Sequence, residues 1–259
     1  MTWRPSAALR NFVLEAGSLK RALSNCVLKV YTGSQPATAE TAPSGTLLCT
    51  YSSASGSVTR EVLAQGKIVV SGTLSGSLDT LTVNSISIIS GALTHTGTIS
   101  TFVDNIITDI NNNPKNLYVV ASKSGTDTVV LTAKPGTGVV TWAVASTETT
   151  CTVTDTAMGT LTAGTAPVNG LNWGDSAAGV LTKLSTQTWS GVAVATGTAG
   201  WFRIEAAVND AGGADSTEAI IRADGAVATS GAELNMTPTS ITTGATQTIT
   251  GFTITLPTA

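Results

Sequence analysis

The chain has 259 residues, a net charge of −3 and only 11% charged residues, against roughly 25% in an average globular domain. Its 42% hydrophobic content suffices for a sizeable core, and more than one residue in six is Thr, a β-branched type that suits a pleated surface. No basic patch carries interleaved aromatics, no run approaches the ~18 apolar residues of a membrane span, and one histidine with three scattered cysteines is too little for a zinc site. These features exclude nucleic-acid binding and a metal centre as leading readings.

Residues 1–24 read as an N-terminal helix or arm. Leu9, Phe12, Val13, Ala16, Leu19 and Leu23 recur at helical spacing, Ser6 is placed to cap the start, and Gly17 weakens the middle. The stretch lacks the apolar centre of a signal peptide, which predicts synthesis in a cytoplasm. Arg4, Arg10, Lys20 and Arg21 make it basic, as a solvated helix face or as a segment that orders against a partner.

From Asn25 the period changes to two. Cys26, Leu28 and Val30 alternate with Val27, Lys29 and Tyr31, and GTLLCTYS forms a second strand. The turn-rich TGSQPATAETAPSG between them is expected to be an exposed excursion. Residues 65–165 look self-contained, with strands GKIVVSG, LDTLTVNSISII, NLYVVASK and TVVLTAK, and further strands near 139–145 and 150–154. Within them Phe102, Val103, Ile106, Ile107 and Ile110 form one helical stripe, with Ser100 as the expected cap and Asn111, Asn112, Asn113 and Pro114 as the stop.

Beyond Pro167, WFRIEAAVND places Phe202, Ile204, Ala206 and Val208 on one face and Trp201, Arg203 and Glu205 on the other. EAIIRADGAVA contains Asp224-Gly225, a hairpin signal. TITGFTITLP sets Phe252, Ile254 and Leu256 on one face, with a bulge expected at Gly251 to bring Ile249 into register.

Two sets of strings resemble virion proteins of tailed bacteriophages. LRNFVLEAG with VLKVYTGSQPATAETAPSGTLLCTYS, and GTAGWFRIEAAVNDAGG with IIRADGAVATSGAELNMTPTSITTGATQTITGFTITLP, are similar to the opening and ending of a family of small phage structural proteins. LTVNSISIISGALTHTGTISTFVDNIITDINNN with LYVVASKSGTDTVVLTAKPGTG is similar to a module that recurs as an insertion in phage particle proteins. The resemblance implies a mainly β fold. A β-sandwich outer domain of residues 25–62 plus 167–259 would carry an inserted small α+β module, 63–166, behind the N-terminal helix or arm.

Chemistry has few candidates. His95 reads as a turn or surface histidine, with no nucleophile-elbow motif beside it. Asp175, Glu205, Asp210, Asp215 and Glu218 are the carboxylates a glycosidase pair would draw on, yet no spacing selects two of them, so they read as solvated charges. DAGGAD, Asp210 to Asp215, lacks the bidentate Glu of a calcium loop. Cys26, Cys49 and Cys151 are either reduced buried thiols or, after release into an oxidising medium, a disulfide with one thiol left for an intersubunit cross-link. Trp189 and Trp201 are expected in core or sheet faces, and Trp3 and Trp173 at an interface.

The expectation is therefore a non-enzymatic structural protein, without cofactor or metal. It would be made in the host cytoplasm and carried on the outside of the virion as a capsid decoration or a neck or collar protein. Its partners would be other copies of itself and other virion proteins of capsid, neck or tail, with no nucleic acid and no membrane. The alternative is a tail-associated adhesin that grips host-surface glycans.

Overall fold

The computed structural model describes residues 3–15, 17–72, 75–134, 140–206, 210, 212–216 and 220–255. The protein is mainly β, in several antiparallel sheets with few helices. Two compact units divide the chain. Unit 1 is Met1–Arg60 with Pro167–Ala259, and unit 2 is the segment between, Glu61–Ala166.

Unit 1 begins with β1 (Arg4–Pro5), α1 (Ala7–Glu15), α2 (Leu19–Ala22), β2 (Val27–Thr32) and β3 (Leu47–Ser53). Unit 2 follows with β4 (Gln65–Ser71), β5 (Ser77–Val83), β6 (Ile86–Ser87), β7 (Leu93–Thr94), α3 (Ile99–Asn112), β8 (Val119–Ser124), β9 (Thr128–Ala133), β10 (Val144–Thr149) and β11 (Thr152–Thr156). The chain then returns to unit 1 through β12 (Val180–Thr182), β13 (Trp189–Val192), β14 (Gly197–Glu205), β15 (Arg222–Ala228), β16 (Leu234–Asn235), β17 (Ser240–Ile241), β18 (Thr246–Ile249) and β19 (Thr253–Thr255).

The large sheet of unit 1 runs β1-β15-β14-β2-β3-β13-β18, with β16 beside β15 and β17 beside β14; β12 and β19 pair separately. One face follows the alternation of the sequence. Cys26, Leu28 and Val30 of the β2 segment and Phe202, Ile204 and Ala206 of the β14 segment all enter the same core. Trp173, Trp189 and Phe252 join them. The two indoles meet edge to face at 5.0 Å, and Phe252 lies 5.3 Å from Phe202, a geometry that aromatic quadrupoles favour.

The opposite face departs from the expectation. Trp201, Arg203 and Glu205 are as fully buried as their apolar neighbours. The segment between β2 and β3, expected to stand out in solvent, folds back over them. Ser44 O accepts from Trp201 Nε1 at 3.2 Å, Ala39 O from an Arg222 nitrogen at 3.4 Å, and Pro36 O from Arg4. Backbone carbonyls that a turn leaves unpaired thus meet the donors of a charged strand face.

Two local signals also resolve differently. Asp224-Gly225 is no hairpin turn but the middle of β15, with Asp224 opposite Arg203 and Gly225 opposite Phe202. A Cβ at Gly225 would come 2.4 Å from the Phe202 ring, so glycine serves close ring packing there. Gly251 hosts no bulge within one strand. It falls between β18, paired with β13, and β19, paired with β12. Ile249 and Ile254 therefore reach one core from different strand pairs. Val208 and Leu256 lie outside the described residues.

Unit 2 has a four-stranded sheet, β11-β4-β9-β8, and a second one, β10-β5-β6 with β7 on β5. Helix α3 packs on β8, β9 and β4. Its stripe buries Phe102, Val103, Ile106 and Ile110, while Ile107 is half-buried. The N-cap is Thr98 rather than Ser100: Thr98 Oγ1 accepts from Thr101 N at 3.2 Å. Ser100 sits inside the first turn and accepts from Lys123 instead. Two asparagines at the helix end close the outer edge of β8. The Asn111 carboxamide bonds both N–H and C=O of Ala121 at 2.9 Å. Asn116 does the same for Val119 at 3.2 and 2.9 Å. Side-chain amides here stand where another strand would pair, which blunts an edge that invites association.

Candidate functional site

The helical arm is fastened to the sheet of unit 1 by its cap. Ser6 Oγ accepts from Leu9 N at 3.2 Å and from Arg222 N at 3.0 Å, and donates to Ile220 O. Glu40 Oε1 accepts from Ala7 N at 2.7 Å. These bonds satisfy donors that a helix start leaves unpaired and fix which side of α1 faces inward. Leu9 is buried, Trp3, Ala8 and Phe12 pack half-buried against the core, and Trp3 lies 6.5 Å from Phe202. The helix breaks near Gly17, as the sequence suggests, and Ser18 caps α2 by accepting from Arg21 N.

The other side of α1 is left open. Leu14 is 83% exposed and Val13 37%. They form one lip of a half-open cleft of about 730 Å³, lined also by Trp3, Leu9, Leu19 and, from the facing wall, Leu181 and Ile254. That wall is built by pairing Leu181 in β12 with Ile254 in β19. A tight turn at Ala178 and Gly179, both at positive φ (49° and 77°), leads into β12. Such mirror-image turns match the twist of paired strands. The charged lining residues are Arg10, Lys20 and Asp175. Lys20 Nζ sits 2.6 Å from Asp175 Oδ1 and holds that carboxyl below its usual range. Among the described residues Asp175 is the single carboxylate of the lining, so they offer apolar burial rather than a proton-transfer pair.

The remaining carboxylate candidates are engaged elsewhere, and not as solvated charges. Glu205 Oε2 accepts from Lys29 Nζ at 2.8 Å and Arg60 at 2.9 Å, and Oε1 has no hydrogen-bond partner among the described residues. Asp210 receives a forked pair from Arg222 at 2.5 and 2.6 Å and a bond from Gly212 N at 2.8 Å. Asp215 Oδ2 accepts from Ile220 N. Arg203 and Asp224 form a second forked pair, both bonds 2.7 Å. Arg203 also lies 5.5 Å from the Trp201 ring, on which Tyr31 stacks at 4.5 Å. Charges this deep persist only when paired. Glu218 lies outside the described residues. Among those described, no three His, Cys, Asp or Glu are grouped to hold a metal ion, and no helix is long and apolar enough to cross a membrane.

Two further expectations change, those for Trp173 and His95. Trp173 is a core residue, 3% exposed, with Nε1 donating to Leu23 O at 3.0 Å; its place in a Gly-rich stretch hid a ring that closes the aromatic cluster. Trp3 does line the open cleft. His95 is neither a turn nor a surface residue. It is buried against Phe102, ring centroids 4.4 Å apart, with no hydrogen bond to either ring nitrogen among the described residues. The cysteines are free and buried, Cys26 and Cys49 in unit 1 and Cys151 in unit 2. Burial pushes the Cys26 thiol up to about 12 and Cys49 to about 11, and raises Cys151 as well. A cross-link through any of them would first require the thiol to reach the surface and ionise.

The cleft itself was only half legible. Val13 and Leu14 directly follow the inward Phe12 on α1, and that apolar surplus is visible in the sequence. Nothing in the sequence pointed to Leu181 and Ile254 as its other wall, which exists because distant strands pair. No protein-family model matches the chain, and none of the curated proteins searched matches it.

Proposed function

We propose that this protein is a structural component of a tailed-phage particle, borne on the exterior as a capsid decoration or a neck or collar protein, and that it acts by assembly. In this reading unit 1 is a β-sandwich-type outer domain and unit 2 an inserted α+β module. The protein is made in the host cytoplasm and retained in the virion through contacts with other copies and other virion proteins.

The observation that carries the assembly reading is the cleft on unit 1. It is an apolar recess of about 730 Å³ whose lip bears Leu14 at 83% exposure. Burying such a side chain is worth roughly 1.5–3 kcal/mol, and contiguous open apolar surface marks contact sites. A chain that is otherwise sparing with charge and rich in Thr presents a surface whose desolvation costs little. The glycan-adhesin reading loses its named aromatic platform, since Trp173 is in the core.

Mass spectrometry of gradient-purified particles, with cryo-EM of the same particles, tests the proposal. The expected result is stoichiometric chain in the particle and density for it on the outer surface. Its absence from purified particles would overturn the reading.

A further inference from the structure

We infer that the cleft receives the acidic unit of a second copy of this chain, in a head-to-tail contact. The inference rests on the assembly reading above and names the partner. Residues 1–24 hold Arg4, Arg10, Lys20 and Arg21 against Glu15, a surplus of three positive charges. The rest of the chain holds nine basic and fifteen acidic residues. Unit 2 accounts for much of this imbalance, with four lysines against seven carboxylates. Asp79, Asp104, Asp109, Asp127 and Glu148 all keep access to solvent there.

The sign of the charge decides the symmetry. Lys20 is already neutralised by Asp175, so a two-fold contact through the cleft would set Arg10 against its own copy beside the same apolar lip, and like charges brought together oppose association. A head-to-tail contact sets Arg10 against an acidic surface instead. Unit 2 can also meet the apolar lip, since Val62, Leu117, Val120 and Leu161 are 43–49% exposed. A heterologous contact of this kind repeats until the rotation closes a ring or continues as a filament.

Sedimentation velocity of the full chain over a concentration series, at low salt and at about 0.5 M salt, tests this. The variants are Leu14→Glu and Arg10→Glu. Both positions are exposed, and unchanged circular dichroism and denaturation midpoint would verify folding. Expected are species larger than a dimer at low salt, weakened at least about tenfold by high salt and by each variant. The Leu14→Glu chain keeps its acidic unit, so it should still occupy wild-type clefts and shorten wild-type assemblies on mixing. A monomer at every concentration, a strict dimer, or assembly indifferent to Leu14→Glu would each overturn the contact. A chain that is monomeric yet present in purified particles overturns this contact and leaves the particle assignment standing; an oligomer absent from particles does the reverse.

Discussion

The two units bury charge in opposite ways. In unit 2 the face of β4, β8 and β9 that meets α3 is apolar. The other face stays half-exposed, with Lys67, Val69, Thr128 and Val130 all partly accessible. Its ion pair Lys123–Asp104 is exposed, so it contributes little. In unit 1 the central strands are covered on both faces, and the second face carries Arg203, Asp224, Glu205 and Arg222, all at or near 0% exposure. The same apolar–polar alternation thus describes two different environments. What separates them is whether a chain segment with free carbonyls folds over the polar face, as residues 33–46 do in unit 1.

The sharpest way to break this comparison is to remove one member of the buried layer. Arg203→Met leaves the Asp224 carboxylate without its forked partner and should lower the stability of unit 1 by roughly 3–5 kcal/mol in chemical denaturation. The double variant Arg203→Met/Asp224→Leu should recover most of that loss, because an apolar pair needs no compensation. A single substitution costing less than about 1 kcal/mol would show that solvent reaches the layer and that the two units do not differ as described.

A middle-sized effect is expected in unit 2, where Asn111 replaces a missing neighbour of β8. Asn111→Ala strips two bonds from the Ala121 backbone. It should cost about 1–3 kcal/mol and speed hydrogen exchange at Ala121. Exchange rates unchanged at Ala121 would show that the edge is protected by other means.

The smallest effect is a pH dependence carried by Asp210 of unit 1. Burial alone would raise the Asp210 pKa, but the Arg222 fork and the Gly212 N–H outweigh it and the net displacement is downward. A depressed folded pKa contributes stability that is fully present above the unfolded value of about 3.9 and is lost as pH falls through the folded one. The denaturation midpoint should therefore decline below about pH 4, and Asp210→Asn should flatten that decline. An equally steep decline in Asp210→Asn would assign the acid sensitivity to other groups.

Much of the architecture was legible beforehand. The α3 stripe, the weak point at Gly17 and the core position of Trp189 all follow from periodicity and from local steric preference. Those properties belong to neighbours in the chain. The errors share a different cause. Asp224-Gly225 reads as a turn until Arg203 and Phe202 stand across from it. Trp173 reads as exposed until Leu23 O and Trp189 reach it. Arg203 and Glu205 read as solvent-facing until Asp224 pairs with the one and Lys29 and Arg60 with the other.

The sequence by itself determined the β-rich class, the helices and which side chains share a strand face, because alternation and helical spacing are set by backbone geometry. Only the tertiary structure decided which polar faces are dry and where the open cleft lies. Both depend on residues far apart in the chain: Arg203 with Asp224 and Ser44 with Trp201 in the buried layer, and Leu14 with Ile254 in the cleft. Their meeting is fixed by the balance of desolvation and pairing in the folded molecule.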